Sequence, residues 1–212
     1  MNATLELQPR KEPKQARARR TFERILSATG ELLDEVGIDH VTTNLVAARA
    51  GVNIASLYKY FPNKYALLNF LALRLAGRQT EAIRGYLRTV DPATPWRQVS
   101  DGIIDVMVDS SRAEPGYSAL QRAFLAVPEL HDAYRRTSAA ISREMNGVLR
   151  RWGIDLPERR LDLLVLIMGE SSAALLDLAA SRGRTYDAAI IDELKTLMRG
   201  YLMAYIVPPF HS

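Results

Sequence analysis

From Phe22 onward, apolar residues return every three to four positions. Phe22, Ile25, Leu26, Thr29, Leu32, Leu33 and Val36 share one helical face, and Gly37 then offers the positive φ that closes a helix. A first helix is therefore predicted. Thr43 can accept a hydrogen bond from a free amide of the following turn, which predicts a short second helix reaching Ala50 and closed by Gly51. Asn53 starts a third in the same way, ending near Phe61 because Pro62 disfavours helical geometry in the residue before it. A fourth begins at Asn63, carries Leu67, Leu68, Leu71 and Leu75, and runs towards Val90, where Asp91-Pro92-Ala93-Thr94-Pro95 breaks it.

The same period continues to the C-terminus. A fifth helix holds Trp96, Val99, Ile103, Val106 and Met107 and stops at Glu114-Pro115-Gly116, and a sixth spans Tyr117 to Ala126. A seventh runs from Pro128 to Gly153, an eighth from Glu158 to Ser181 and a ninth from Asp187 to Ile206. No stretch alternates with a two-residue period and none repeats, so the expected fold is all-α with about nine helices. Residues 1–16 hold Pro9 and Pro13 without periodicity and are expected to form a disordered basic tail.

Composition changes this picture mainly by exclusion. With 48% hydrophobic and 25% charged residues the chain reads as a folded globular protein, and zero Cys excludes disulfides, a thiolate nucleophile and Cys-ligated metals. The longest apolar run, Leu163 to Gly169, falls short of the about 20 residues that span a bilayer. The N-terminus lacks the apolar stretch of a secretory signal. No membrane contact and a cytoplasmic location are expected. Only His40, His131 and His211 are present, without metal-ligand spacing, and no GxSxG or Gly-rich phosphate loop occurs. Neither an enzyme nor a bound cofactor or metal is expected.

The net charge of +4 is mild, but its distribution is not. Residues 40–80 contain no Asp or Glu yet carry Arg49, Lys59, Lys64, Arg74 and Arg78. Upstream, Arg10, Lys11, Lys14, Arg17, Arg19, Arg20 and Arg24 face only Glu12 and Glu23. The first third of the chain therefore projects positive potential, as a polyanion-binding surface does.

Within that stretch the second and third helices must cross steeply around a tight turn. Ala47 is small where they touch, Gly51 tolerates the turn, and Val46, Val52, Leu57 and Tyr60 fall where apolar side chains pin the pair to the first helix. This is a helix-turn-helix spacing. Thr42-Thr43, Val46-Ala47, Ala50-Gly51-Val52, Leu57-Tyr58, Tyr60-Phe61, Lys64 and Leu67-Leu68 resemble the N-terminal DNA-binding signature of TetR-like transcriptional regulators. The resemblance covers about residues 20 to 68 and implies a helix-turn-helix head, placed at 17–64, and a helical effector-binding and dimerising body at 65–212.

A third helix in the major groove presents Asn53, Ile54, Ala55 and Ser56 to base edges. Many members of the resembled family carry a Lys or Arg and a Gly where Ile54 and Ala55 stand, a departure that weakens the expectation of a guanine contact. Thr43, Tyr58, Lys59 and Tyr60 carry donors suited to phosphates, work that matching positions do in the resembled family. Tyr60 fits the core equally well. Lys64, in the first turn of a helix, opposes the macrodipole, a conflict that a docked phosphate resolves and that solvation merely tolerates.

A head this small reads a short half-site, so a homodimer on a palindromic double-stranded operator is expected. In the ninth helix Ile190, Leu194, Leu197, Tyr201 and Tyr205 recur at helical steps, and Gly169, Ser172, Ala173 and Ala180 permit close approach on the eighth. In TetR-like proteins these two helices commonly pair with their symmetry mates. Met107, Tyr117, Phe124, Tyr134, Ile141, Met145 and Met168 are adaptable apolar residues of the kind that line a pocket, with Arg122, His131 and Glu170 as polar candidates for a small-molecule effector. The resulting expectation is a repressor released by its effector. The alternative is a helical dimeric adaptor that has lost sequence-specific DNA reading.

Overall fold

Helical periodicity becomes helix in the computed structural model, which describes residues 6–120, 144–181 and 186–206; among these residues there is no strand. In chain order come α1 (Ala16–His40), α2 (Thr43–Arg49), α3 (Ile54–Tyr60), α4 (Lys64–Thr89) and α5 (Trp96–Ala113). Helical residues 117–120 and 144–151 are the described parts of α6 and α7, and α8 (Glu158–Ser181) and α9 (Ala188–Met203) close the chain. The architecture is all-α.

Local chemistry explains where the boundaries differ from expectation. α1 begins six residues before Phe22, in Ala16-Arg-Ala-Arg-Arg, where good helix formers extend the helix without adding apolar positions to its stripe. Its regular geometry breaks at Gly37 (φ +72°), and Val36, the last residue of the predicted stripe, is exposed. The cap of α2 is Thr42, not Thr43: Thr42 has the extended backbone of a cap (φ −126°, ψ 155°), and its Oγ1 accepts from Leu45 N at 3.2 Å. Two adjacent threonines offer identical chemistry, and the backbone conformation chose between them.

The chain divides into two compact units, the first within Met1–Arg78 and Ser111–Arg135, the second within Gln79–Ser110 and Arg136–Ser212. The first of these is larger than the three-helix head drawn at 17–64, because it includes the beginning of α4 and the turn after α5. Its core centres on Phe22, which stacks on Phe61 (5.1 Å between ring centroids) and meets Tyr60 and Phe70 edge-on at 5.4 and 5.1 Å. Ile25, Leu33, Leu57, Leu67 and Leu68 are fully buried around it.

At Gly30 two backbones approach with no room for a side chain. A Cβ there would lie 2.5 Å from the Pro115 carbonyl oxygen. Gly116, at φ +80°, sits against Gly30 in turn, and its amide donates to Asp34 Oδ2 at 2.8 Å. Arg78 and Glu114 add an ion pair. In the second unit Lys195–Asp105 (2.5 Å) and Arg199–Asp101 (2.6 Å) tie α9 to α5 over a core that includes Ile104, Leu176 and Leu194.

α8 is more apolar over its length than its longest uninterrupted apolar run indicates. By length and composition Glu158–Ala180 is apolar enough to cross a membrane, because Ser, Ala and Leu continue the apolar character after Leu163–Gly169, interrupted by Glu170 and Asp177. The core helix of a bundle passes the same test, yet only 28% of its most apolar window is buried within one protomer.

Gly30→Ala is expected to lower stability by about 1–3 kcal/mol, because the backbone oxygen it meets cannot step aside as a side chain can. Urea unfolding of the full chain checks this, and a parent-like midpoint contradicts the close approach.

Candidate nucleic-acid interface

The turn between α2 and α3 is built residue by residue. Ala50 ends α2, Gly51 takes a left-handed conformation (φ +60°), Gly51 N donates to Ala48 O at 3.0 Å, and Val52 N donates to Ala47 O at 2.9 Å. These two bonds are the Schellman closure of a helix end, which needs a residue tolerant of positive φ in this place. Asn53 then caps α3, its Oδ1 accepting from Ala55 N at 2.8 Å. Arg24, reaching across from α1, donates through Nη2 to the carbonyls of Ala50 and of Gly51, the latter at 2.7 Å. Backbone and arginine together set the angle between the two helices.

This geometry sorts the residues expected to touch DNA. On α3, Ala55, Tyr58 and Lys59 are exposed, Ser56 is half-buried, and Ile54 packs partly against the core. Thr43 lies beside Tyr58, with 3.1 Å between their hydroxyl oxygens, so these two donors form one patch. The oxygen of Asn53 is committed to its cap. Tyr60 is a correction: it is 5% exposed with its ring edge against Phe22, so the core reading is the one the structure shows. Lys64 has a partner within the chain: its Nζ donates to Ile38 O at 3.0 Å, which brings a carbonyl at the end of α1 to the cation at the start of α4.

Other cations of the acid-free stretch are engaged from outside it. Arg49 pairs with Glu35 at 2.6 Å and Glu31 at 3.5 Å, and its hydrogen bond holds the Glu35 carboxyl below the ordinary value. Arg74 pairs with Glu23 at 2.6 Å. A different set lines a cleft of about 480 Å³: Arg17, Arg20, Thr21 and Arg24 of α1 face Gly51, Val52, Asn53 and Ser56 at the start of α3. Sequence reading counted these arginines as charge but assigned none to the interface. The missing signal was the start of α1: once it begins at Ala16, steps of three and four residues put Arg17, Arg20 and Arg24 on one face.

In the body, Met107, Met145 and Met168 each pack against two of its three hydrophobic clusters, so the three clusters meet through methionines. Glu170 is half-buried on α8. Tyr117 belongs to the core of the first unit, whereas the three methionines belong to the second. Arg122, Phe124, His131, Tyr134 and Ile141 lie outside the described residues.

Of the residues expected at a dimer interface, Ser172 and Leu194 are corrections. Both are buried inside the protomer: Ser172 Oγ lies 3.9 Å from Met198 Sδ, and Leu194 is 0% exposed. Ala173, Ala180, Ile190, Tyr201 and Tyr205 are half-buried, whereas Gly169 and Leu197 are exposed. On α8 and α9 the described residues include exposed large apolar side chains at Leu163, Leu166, Ile167, Leu178, Leu197 and Met203.

A capped, positively bordered helix-turn-helix on an all-α body defines a DNA-binding regulator. Comparison with known proteins specifies the class. Residues 25–71 match the family described as bacterial regulatory proteins, tetR family, and residues 95–202 match the tetracyclin repressor-like C-terminal domain. The chain belongs to the TetR family of transcriptional regulators, which are DNA-binding proteins and not enzymes. It is 41% identical over 61 residues to the class D tetracycline repressor protein of Escherichia coli, a match covering 29% of this chain and 28% of that one. The chain thus spans little more than a quarter of that curated relative. A TetR-family regulator from Streptomyces coelicolor superposes with a TM-score of 0.69 at 32% identity, over 88% of this chain and 99% of that one. RolR, solved with the ligand resorcinol, shares the fold, with a TM-score of 0.56 at 18% identity over 91% and 96% of the two chains.

Tyr60→Ala is expected to cost about 3–5 kcal/mol of stability as a buried aromatic truncation. Tyr58→Ala, at an exposed position, is expected to cost under about 1 kcal/mol. Paired denaturation curves check the contrast, and equal losses contradict the assignment of Tyr60 to the core.

Proposed function

We propose that the chain is a homodimeric repressor that holds a palindromic operator and is released from it by a small organic effector. The observation that carries the DNA half is the cleft in which Arg17, Arg20 and Arg24 of α1 face the start of α3. Ala55 and Ser56 then meet base edges, and Thr43, Tyr58, Lys59 and the arginines meet phosphates on either side. Lys64, bonded to Ile38 O, has ammonium protons left for a phosphate as well.

Dimerisation is supported by α8 and α9. Leu163, Leu166, Ile167, Leu178, Leu197 and Met203 leave apolar surface uncovered on one protomer, and a second copy covers it with the same residues. The effector is placed where Met107, Met145 and Met168 join the body's clusters, since thioether side chains re-pack around apolar guests. Resorcinol in RolR supports a small aromatic molecule as the class to try first. Helix α4, unbroken from Lys64 to Thr89 and shared by both units, is the proposed coupling element. Effector and operator then weaken each other by one common factor.

Site selection from random duplex DNA with the purified chain, followed by salt titration, tests this reading. An inverted repeat is expected, with affinity falling as the inverse fifth to ninth power of salt, for about six to ten phosphate contacts. No enrichment, or salt-insensitive binding, moves the adaptor reading forward. For the dimer, Leu166→Glu combined with Leu197→Glu is expected to give a folded monomer by light scattering; an unchanged dimer removes α8 and α9 as the interface.

A further inference from the structure

Residues 6–10 lie against the head, with Arg10 at the C-terminal end of α3 and Glu6 and Leu7 at the start of α4. The last carbonyls of a helix have no intrahelical donors. In α3 the Leu57 carbonyl is taken by Phe61 N at 2.9 Å, and the tail supplies the next donors: Arg10 N to Tyr60 O at 2.8 Å and Arg10 Nη1 to Tyr58 O at 3.2 Å. The guanidinium also brings positive charge to the negative end of the helix dipole. The expected disorder of the tail therefore does not extend to this segment.

Two asparagines of α4 and its cap hold the segment in place. Asn63 Nδ2 donates to Glu6 O at 2.9 Å, and Asn69 Nδ2 donates to Leu7 O at 2.8 Å. Asn69 is the more telling. It is 0% exposed, stands among Leu68, Leu71 and Ala72 on α4, and its Oδ1 has no hydrogen-bond partner among the described residues. A half-satisfied amide is a costly occupant of a core position that leucine fills better, and the bond to Leu7 is what the amide provides.

We propose that residues 6–10 form a strap that caps α3, the proposed recognition helix, from outside the helix-turn-helix. Asn69 is its anchor and Arg10 a positioning residue, and α3 keeps the orientation in which it meets DNA only while the strap is docked. The capping rests on the contacts above; its consequence for DNA rests on the regulator reading.

The test uses full-length Asn69→Leu and Arg10→Met. Amide exchange of residues 54–61 is measured without DNA, and affinity is measured for the inverted-repeat duplex recovered by selection, at several salt concentrations. Asn69→Leu keeps the net charge and is expected to melt at or above the parent temperature. Its α3 amides exchange about tenfold faster and its Kd weakens about tenfold with an unchanged salt slope. Arg10 is exposed, so Arg10→Met tests the same point without repacking the core, with the same expected pattern.

Parent-like exchange in both variants overturns the strap. Faster exchange with parent-like Kd overturns its positioning role. A fall of about one unit in the salt slope of Arg10→Met puts Arg10 on a phosphate and makes the tail a DNA-contacting arm instead. If selection recovers no duplex, the regulator reading falls, and the exchange measurement alone decides whether the strap exists.

Discussion

The recognition helix has seven residues, and isolated helices shorter than about 12–15 residues are marginal in water. α3 therefore exists because its surroundings hold it. Asn53 satisfies an amide at its start, the Schellman closure around Gly51 sets its entry angle, and Leu57 and Tyr60 sink into the core beside Phe22. The exposed residues of α3 are what remains once those buried positions are spent. The precision with which the head can present Ala55, Ser56, Tyr58 and Lys59 is thus a property of the aromatic packing beneath them, not of the helix itself.

The same economy governs the cations. Arg24, Arg49, Arg74 and Lys64 all have carbonyl or carboxylate partners that shape the head: Arg24 on the interhelical turn, Arg49 on Glu31 and Glu35, Arg74 on Glu23, Lys64 on the end of α1. Among the described residues no ion pair engages Arg17, Arg20 or Lys59, and two of these line the cleft at the start of α3. A positive stretch in a sequence therefore separates into charges that fix the fold and charges that face outward. For Arg49 and Arg74 the partners are acids of α1, because the stretch itself contains none.

In the body, apolarity exceeds what one chain can bury. One side of α8 and α9 closes over Leu176, Leu194 and Met198, while Leu163, Leu166, Leu178 and Leu197 remain exposed. A helix that is apolar nearly all round needs cover on a second side. In the proposed homodimer a symmetric copy supplies that cover without any further sequence, which makes dimerisation and the stability of α8 one question.

The periodicity of the chain was enough to determine an all-α fold, the helix order, the turn at Gly51 and the cap at Asn53, because these depend on interactions within a few residues. The placement of charged residues marked 40–80 as positive, and the particular residues of the helix-turn-helix carried the family resemblance. None of these determined which neighbour each side chain meets. Thr42 rather than Thr43 caps α2, Tyr60 turns inward, and Lys64 finds Ile38, whose position depends on the break at Gly37. Ser172 and Leu194 face the chain's own core, although Leu194 shares its sequence stripe with the exposed Leu197. The bonds from Asn63 and Asn69 to the tail span 57 and 62 residues. A sequence period states that a helix has an apolar face; only the packed chain decides what covers that face, because the contact is made between residues far apart in sequence.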